Sequence, residues 1–169
     1  MTSSGFVVVV GVSGTSHSPR ALRFAAAEAA AHRGSVVAVR AWKPAVPMTS
    51  GTHPPLRTYD PQVAYAAQQA RLREDVGAVL GERDDVECRV VEGGRRKVLV
   101  EQARGADLLV LDAPRQLDLS GGAIFAHRLL YTAPCPVVIM PPGADGDQHR
   151  LARAWRVAWV SGPRPRAGS

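Results

Sequence analysis

The sequence predicts a single α/β domain in which a parallel sheet carries helices on both faces. Strand-like and helix-like segments alternate along residues 6–140, which is typical of parallel sheets with right-handed crossovers. Two of the strand-like segments, Phe6–Val10 and Leu108–Leu111, are apolar throughout, as strands buried on both faces are. The chain has 169 residues, 46% hydrophobic and 21% charged, which is enough for one core without disulfides.

Start and stop residues bound the alternating segments. Ser18 and Asp60 each precede a proline, so a helix is predicted to begin at each, and Ser18 is predicted to cap its helix through its side chain. Gly34 and Gly81 are predicted to end those two helices. The predicted strands span 6–10, 36–42, 86–91, 108–111 and 136–140, and the predicted helices span 19–33, 61–80, 95–104 and 122–131. The first helix is predicted to bury a stripe of Leu22, Ala25, Ala26, Ala29 and Ala30.

Three loops follow the carboxyl ends of predicted strands, at 11–17, 43–60 and 112–121. Ligands of parallel sheets bind at this edge, so these loops are the first places to look for a site. The loop 11–17 is rich in small residues. Ser13 and Thr15 there are candidates for phosphate contacts or for turn chemistry, and His17 is a candidate either for a ligand contact or for a solvated loop position.

The charge of the chain does not indicate nucleic-acid binding. The formal net charge is +6, but residues 143–169 carry five Arg and two Asp, so the rest of the chain is only mildly basic. No cluster of cations interleaved with aromatic residues occurs before residue 143. No apolar run approaches the ~18 residues of a membrane span, and no signal peptide is recognisable. A cytoplasmic location is expected.

The residues that usually carry catalysis or metal binding are not arranged for either. The five histidines include no i, i+4 pair on one helix, and Cys88 and Cys135 form no Cys-x-x-Cys pair, so no metal site is expected. No Gly-x-Ser-x-Gly elbow and no Walker A sequence occurs. Cys135 lies between two prolines and is interpreted as a small buried residue. No catalytic residue is therefore predicted.

Three stretches resemble the universal stress protein family. The first is 9–15, Val-Val-Gly-Val-Ser-Gly-Thr, followed by Ser18 and by Ala-Leu-Arg-Phe-Ala at 21–25. The second comprises 91–93, 98–99 and 106–110, and the third is 133–138, Ala-Pro-Cys-Pro-Val-Val. The resemblance covers residues 6–140. It implies a five-stranded sheet of order 3-2-1-4-5, an adenine nucleotide alpha hydrolase-like fold, and a homodimer built along the last strand, Pro136–Met140.

The same resemblance directs attention to a phosphate-binding motif that this chain lacks. One branch of the family binds ATP through Gly-x-x-Gly, nine residues, then Gly-Ser/Thr, where glycines let backbone amides approach phosphates. Here Asp112 and Arg115 stand at the first two glycine positions, and Ala123 and Ile124 at the last pair. Ser13 stands at the family's nucleotide-contacting Asp. The positions retained as candidate nucleotide contacts are Gly11, Val12, Ser13, Gly14 and Thr15.

Three hypotheses follow for function. The first is a non-enzymatic, dimeric stress-response regulator, for which no cofactor is expected. It would act through an unidentified protein partner or through changes at the loop edge. The second is an adenine-nucleotide regulator that binds ATP through a variant loop at Gly121–Gly122, with Arg115 as a phosphate ligand. The third, an enzyme, lacks a catalytic constellation. The family-like domain is assigned to residues 1–142.

Residues 143–169 are interpreted as a separate extension that contains Trp, Arg and Pro. Leu151, Trp155 and Trp159 recur at i, i+4 and i+8, a helical spacing. In the first interpretation, this stripe is expected to pack on the domain or across a dimer. A disordered tail, and contact with a partner, a membrane or a nucleic acid, are the alternatives.

Overall fold

The structure, a computed structural model, describes residues 5–44, 60–113 and 122–141. Its strands are β1 (Val7–Gly11), β2 (Ser35–Trp42), β3 (Val86–Glu92), β4 (Leu108–Asp112) and β5 (Val137–Met140). Its helices are α1 (Pro19–Ala31), α2 (Pro61–Leu80), α3 (Arg95–Gln102) and α4 (Gly122–Leu130). Every predicted strand and helix is present, and the predicted ends differ from these by at most two residues.

The five strands form one parallel sheet of order β3-β2-β1-β4-β5. This confirms the predicted fold class and the strand order that the family resemblance implied. β1 lies in the centre, where Val10 stands opposite Ala38 of β2 and Val110 of β4. Strand order reverses between β1 and β4, so the loops that follow these strands diverge at the carboxyl edge.

The apolar strands bury side chains in two layers, one on each face of the sheet. Val8 and Val10 of β1 lie in the layer that α1 and α2 cover, while Val9 lies in the layer that α3 and α4 cover. Alternation along the strand explains why β1 is apolar at every position. The predicted stripe of α1 is buried except for Ala30, which is exposed, so the stripe is narrower than predicted.

The prediction that Ser18 caps α1 through its side chain is wrong. Ser18 has φ 48° and ψ 48°, a left-handed conformation, whereas a capping side chain needs an extended backbone. Its Oγ accepts instead from the Ser13 amide of the preceding loop, at 3.0 Å. The first turn of α1 is capped from β4, where Asp112 Oδ1 accepts from the Ala21 amide at 2.8 Å. A carboxylate distant in sequence therefore satisfies this helix end.

The remaining residues predicted to start or end helices act either through bonds within their own helix or through contacts with a distant part of the chain. Asp60 Oδ1 accepts from the Gln62 amide at 2.8 Å, so α2 begins at Asp60–Pro61 as predicted, and Gly81 follows it with φ 73°. At the end of α1 the left-handed residue is Arg33, with φ 53°, and not Gly34. Gly34 is needed for space, because a Cβ there would overlap the carbonyl of Phe6, the residue immediately before β1.

Several sequence predictions lie outside the described residues. They concern the extension 143–169, nearly all of the loop 43–60, Arg115 and the Gly121 half of the variant loop. Ala123 and Ile124 belong to the backbone of α4, and their side chains are not described. Among the helices of the described ranges, none combines the length and hydropathy that crossing a membrane requires.

Candidate functional site

A cavity opens at the carboxyl edge of the sheet, between the ends of β1 and β2 and the first turn of α3. Its volume is about 100 Å³, below the ~300–1,000 Å³ typical of small-molecule sites. The described walls therefore enclose only part of a nucleotide-sized ligand. The lining residues are Gly11, Val12, Ser13, Gly14, Val39, Ala41, Arg95 and Leu99.

The floor of the cavity is backbone held close to the core. Gly11 is buried at the end of β1, and a Cβ there would overlap Leu111 and lie 3.1 Å from Leu99 Cδ2. A side chain at this position would displace the ends of the Leu111 and Leu99 side chains that pack there. Gly14 differs, since a Cβ there would meet no atom within 4 Å. The cavity is thus fixed at its inner end and open toward the loop.

Hydrogen bonds within the loop after β1 fix its shape and occupy its hydroxyls. Ser13 Oγ lies 3.1 Å from Thr15 Oγ1 and accepts from the amides of Thr15 and Ser16 at 3.2 and 3.4 Å. His17 and Ser18 both have left-handed backbones, with φ of 56° and 48°. Ser13 therefore has the turn role that the sequence left open.

A charge cluster around the buried Arg40 anchors this loop to α2. Arg40 of β2 is only 4% exposed, and its Nη2 donates to Asp75 Oδ2 at 2.5 Å and to the Ser13 carbonyl at 3.3 Å. His17 Nδ1 lies 2.8 Å from Asp75 Oδ1. Desolvation raises the pKa of Asp75, but hydrogen bonds from Arg40 and His17 outweigh it, so this pKa lies below its ordinary value. Asp75 thus stays ionised and is held by contacts with both Arg40 and His17.

The outer wall of the cavity carries a cation from α3. The guanidinium of Arg95 lies over the ring of Phe125 on α4, 4.6 Å from the ring centroid. Arg95 as a whole residue is exposed, and partial desolvation of its guanidinium lowers its pKa. An arginine remains cationic at neutral pH all the same. Among the described lining residues, Arg95 alone carries a charge.

The structure brings together four of the five predicted nucleotide-contact residues. Gly11, Val12, Ser13 and Gly14 line the cavity, whereas Thr15 is not among its lining residues. Asp112 shares the face of Val110, on the α1 side of the sheet, and its carboxylate is bonded to α1.

Sequence reasoning missed the other half of the lining, which comes from β2 and α3. Val39 and Ala41 face the layer of α3, and Arg95 and Leu99 belong to α3 itself. A signal for Arg95 was present, because Gly93–Gly94 follows β3 at the same carboxyl edge as the three loops considered. Arg40 was also overlooked, although a charged residue in an apolar strand requires a partner.

Groups for metal or thiol chemistry are not assembled in the described ranges. No three His, Cys, Asp or Glu side chains there lie close enough to hold an ion. Cys88 and Cys135 are free and half-buried, and desolvation raises the pKa of both thiols. A raised pKa keeps these thiols protonated and poorly nucleophilic at neutral pH.

Fold and cavity together define a doubly wound α/β protein with its crevice at the carboxyl ends of the central strands. The chain belongs to the universal stress protein family, whose sequence model matches residues 7–141. This confirms the family that the three sequence stretches indicated. No curated protein matches the chain significantly.

Solved universal stress proteins share the fold. One in complex with cAMP is 25% identical over 83% of this chain and 100% of its own, with a TM-score of 0.57. One from Burkholderia pseudomallei is 26% identical over 83% of this chain and 99% of its own, with a TM-score of 0.56. One from Archaeoglobus fulgidus in complex with dAMP is 20% identical over 80% and 98%, with a TM-score of 0.53.

Proposed function

We propose that this chain is a stress-response regulator that catalyses no reaction and whose crevice takes an adenine nucleoside monophosphate in preference to ATP. The observation that carries the proposal is the cavity itself. It has a neutral backbone floor at 11–14, an apolar wall and a single cation, Arg95. A similar protein, at 25% identity, was solved with cAMP, an adenine nucleotide with one phosphate.

The preference for one phosphate follows from charge and from the replaced glycines. A triphosphate carries several negative charges, which one arginine neutralises only in part, and it needs backbone amides that glycines expose. Asp112 stands at the first of those glycine positions and is bonded to α1. ATP is therefore disfavoured relative to AMP.

The proposal of a non-enzymatic role rests on the chemistry of the lining. The described lining residues include one hydroxyl, that of Ser13, and no carboxylate, imidazole or thiol. Ser13 Oγ accepts from the amides of Thr15 and Ser16, and the described lining offers no carboxylate or imidazole to act as its general base. The protein is proposed to respond to a ligand by altering its loop edge, where an unidentified protein partner would bind.

Calorimetric titration with AMP, cAMP and ATP, combined with phosphorus NMR of the same mixtures, tests this proposal. We expect saturable binding of a monophosphate, ATP affinity at least about tenfold weaker, equivalent to ~1.4 kcal/mol, and no released phosphate or pyrophosphate. ATP binding in the micromolar range would contradict the ligand preference. Turnover of ATP would contradict the non-enzymatic role.

We also propose a homodimer along β5, as the family resemblance implies. β5 is the terminal strand of the sheet, and among the described residues no strand pairs with its outer edge, which is where a second copy would add its own strand. Sedimentation equilibrium tests this, with Ile139→Pro as the variant that removes one edge amide. A native monomer at micromolar concentration would refute it, as would an unchanged dimer in the variant.

A further inference from the structure

We propose that Arg95 is the anion-recognition residue of the crevice, which takes a ligand with a neutral planar body and a single phosphate. This inference rests on the proposed function and names the side chain that receives the phosphate. The family resemblance places phosphate contacts in the loop after β4. Arg95 instead follows the Gly93–Gly94 turn after β3, so the charge of the ligand would be received at a different strand end.

The charge of the lining selects the sign of the ligand. Of the eight lining residues, Arg95 is charged and positive, and the other seven are neutral. Val39, Ala41 and Leu99 offer apolar surface, and the Gly11–Gly14 backbone offers amides and carbonyls. This combination suits a planar heterocycle joined to an anion. A cationic ligand would be repelled by the guanidinium of Arg95.

The guanidinium of Arg95 has hydrogen-bonding capacity to spare. Within the described part of the chain, Arg95 makes no hydrogen bond and no ion pair. Three other arginines are each bonded to a carboxylate: Arg40 to Asp75, Arg83 to Asp85, and Arg89 to Glu87. Arg95 therefore does not have to give up a described protein partner in order to bind an anion.

The contact with Phe125 fixes the guanidinium without using its donors. The guanidinium carbon lies 4.6 Å from the ring centroid, and a cation–π contact of this kind engages no hydrogen-bond acceptor. Phe125 packs against the same apolar layer as Leu99, which lines the cavity. The cation is thus oriented before a ligand arrives, and this lowers the entropic cost of binding.

The net positive charge of the neighbouring helices favours binding of a negatively charged ligand. α3 and α4 together carry four cations, Arg95, Arg96, Lys97 and Arg128, against one acid, Glu101. The first turn of α3 contains no acidic residue. Glu92 ends β3 on the face of Val90, which is the α2 side of the sheet, away from the cavity.

A charge-matched pair of ligands and a pair of neighbouring variants test Arg95. AMP and adenosine share a base and a sugar and differ in the phosphate. Arg95→Gln removes the cation at the cavity, and Arg96→Gln removes an adjacent exposed cation that does not line it. Binding of both ligands to each full-length protein is measured by calorimetry at two salt concentrations, with thermal unfolding as the check on folding.

We expect Arg95→Gln to weaken AMP binding by about tenfold to a hundredfold and to leave adenosine unchanged. Arg96→Gln should change either affinity less than about threefold, and Arg95→Lys should recover part of the AMP affinity. AMP binding, but not adenosine binding, should weaken as salt is raised. Equal losses in the two glutamine variants, or equal native affinities for AMP and adenosine, would overturn the role of Arg95 while leaving the proposed function intact. Absence of binding by both ligands would overturn the proposed function as well.

Discussion

Replacing Asp75 with alanine should destabilise the protein strongly, although Asp75 lies on the outer helix α2. Arg40 would keep only the Ser13 carbonyl at 3.3 Å, since its Nε is already buried without a partner in the described structure. Breaking a buried ion pair on one side typically costs ~3–5 kcal/mol. The Asp75 side chain is 18% exposed, so water reaches the vacated space, and we expect the lower end, about 3 kcal/mol.

Urea unfolding followed by circular dichroism measures this loss. With a slope of ~2 kcal/mol/M, a loss of about 3 kcal/mol lowers the midpoint by roughly 1.5 M. Glu74→Ala, at the exposed neighbouring position of α2, is the control and should stay within about 0.5 kcal/mol of the native protein. The double variant Arg40→Leu with Asp75→Ala should recover much of the loss, because it leaves no unpaired buried charge. The reasoning fails if Asp75→Ala matches Glu74→Ala or if the double variant recovers nothing.

Three further predictions follow from other contacts. Because the pKa of Asp75 is lowered in the folded state, its stabilisation is present above the unfolded pKa of ~3.9 and is lost as pH falls through the folded pKa. The stability gap between the native protein and Asp75→Asn should therefore close in acid unfolding series below about pH 4. Asp112→Ala removes the acceptor of the Ala21 amide and should cost about 1–2 kcal/mol in urea unfolding, whereas Asp84→Ala should cost almost nothing. Gly34→Ala should lower the melting temperature because its Cβ overlaps Phe6, whereas Gly77→Ala, with open space inside α2, should raise it.

Local sequence signals predicted the elements well because their causes are local. Asp60 caps α2 through amides two and three residues away, so the sequence alone contained both partners of each bond. The alternation of apolar strands and helices likewise predicted a parallel sheet. The strand order was obtained from the family resemblance, since spacing along the chain does not determine which strands pair.

Tertiary contacts account for the predictions that were wrong or missed. The helix that Ser18 was expected to cap is capped by Asp112, which lies 91 positions from Ala21. The half of the cavity formed by β2 and α3 depends on the close approach of those elements, which no sequence window contains. Arg95 would have been found by extending the carboxyl-edge rule to the turn after β3.

The bond from Arg40 to the Ser13 carbonyl couples the position of helix α2 to that of the cavity floor. Arg40 is bonded both to Asp75 of α2 and to the Ser13 carbonyl of the loop. A small rotation of α2 would therefore displace the loop backbone that forms the cavity floor. Substitutions on α2 that contact no ligand atom would then change the affinity of the cavity for its ligand. In relatives whose second helix is positioned differently, the same crevice would be expected to prefer different molecules.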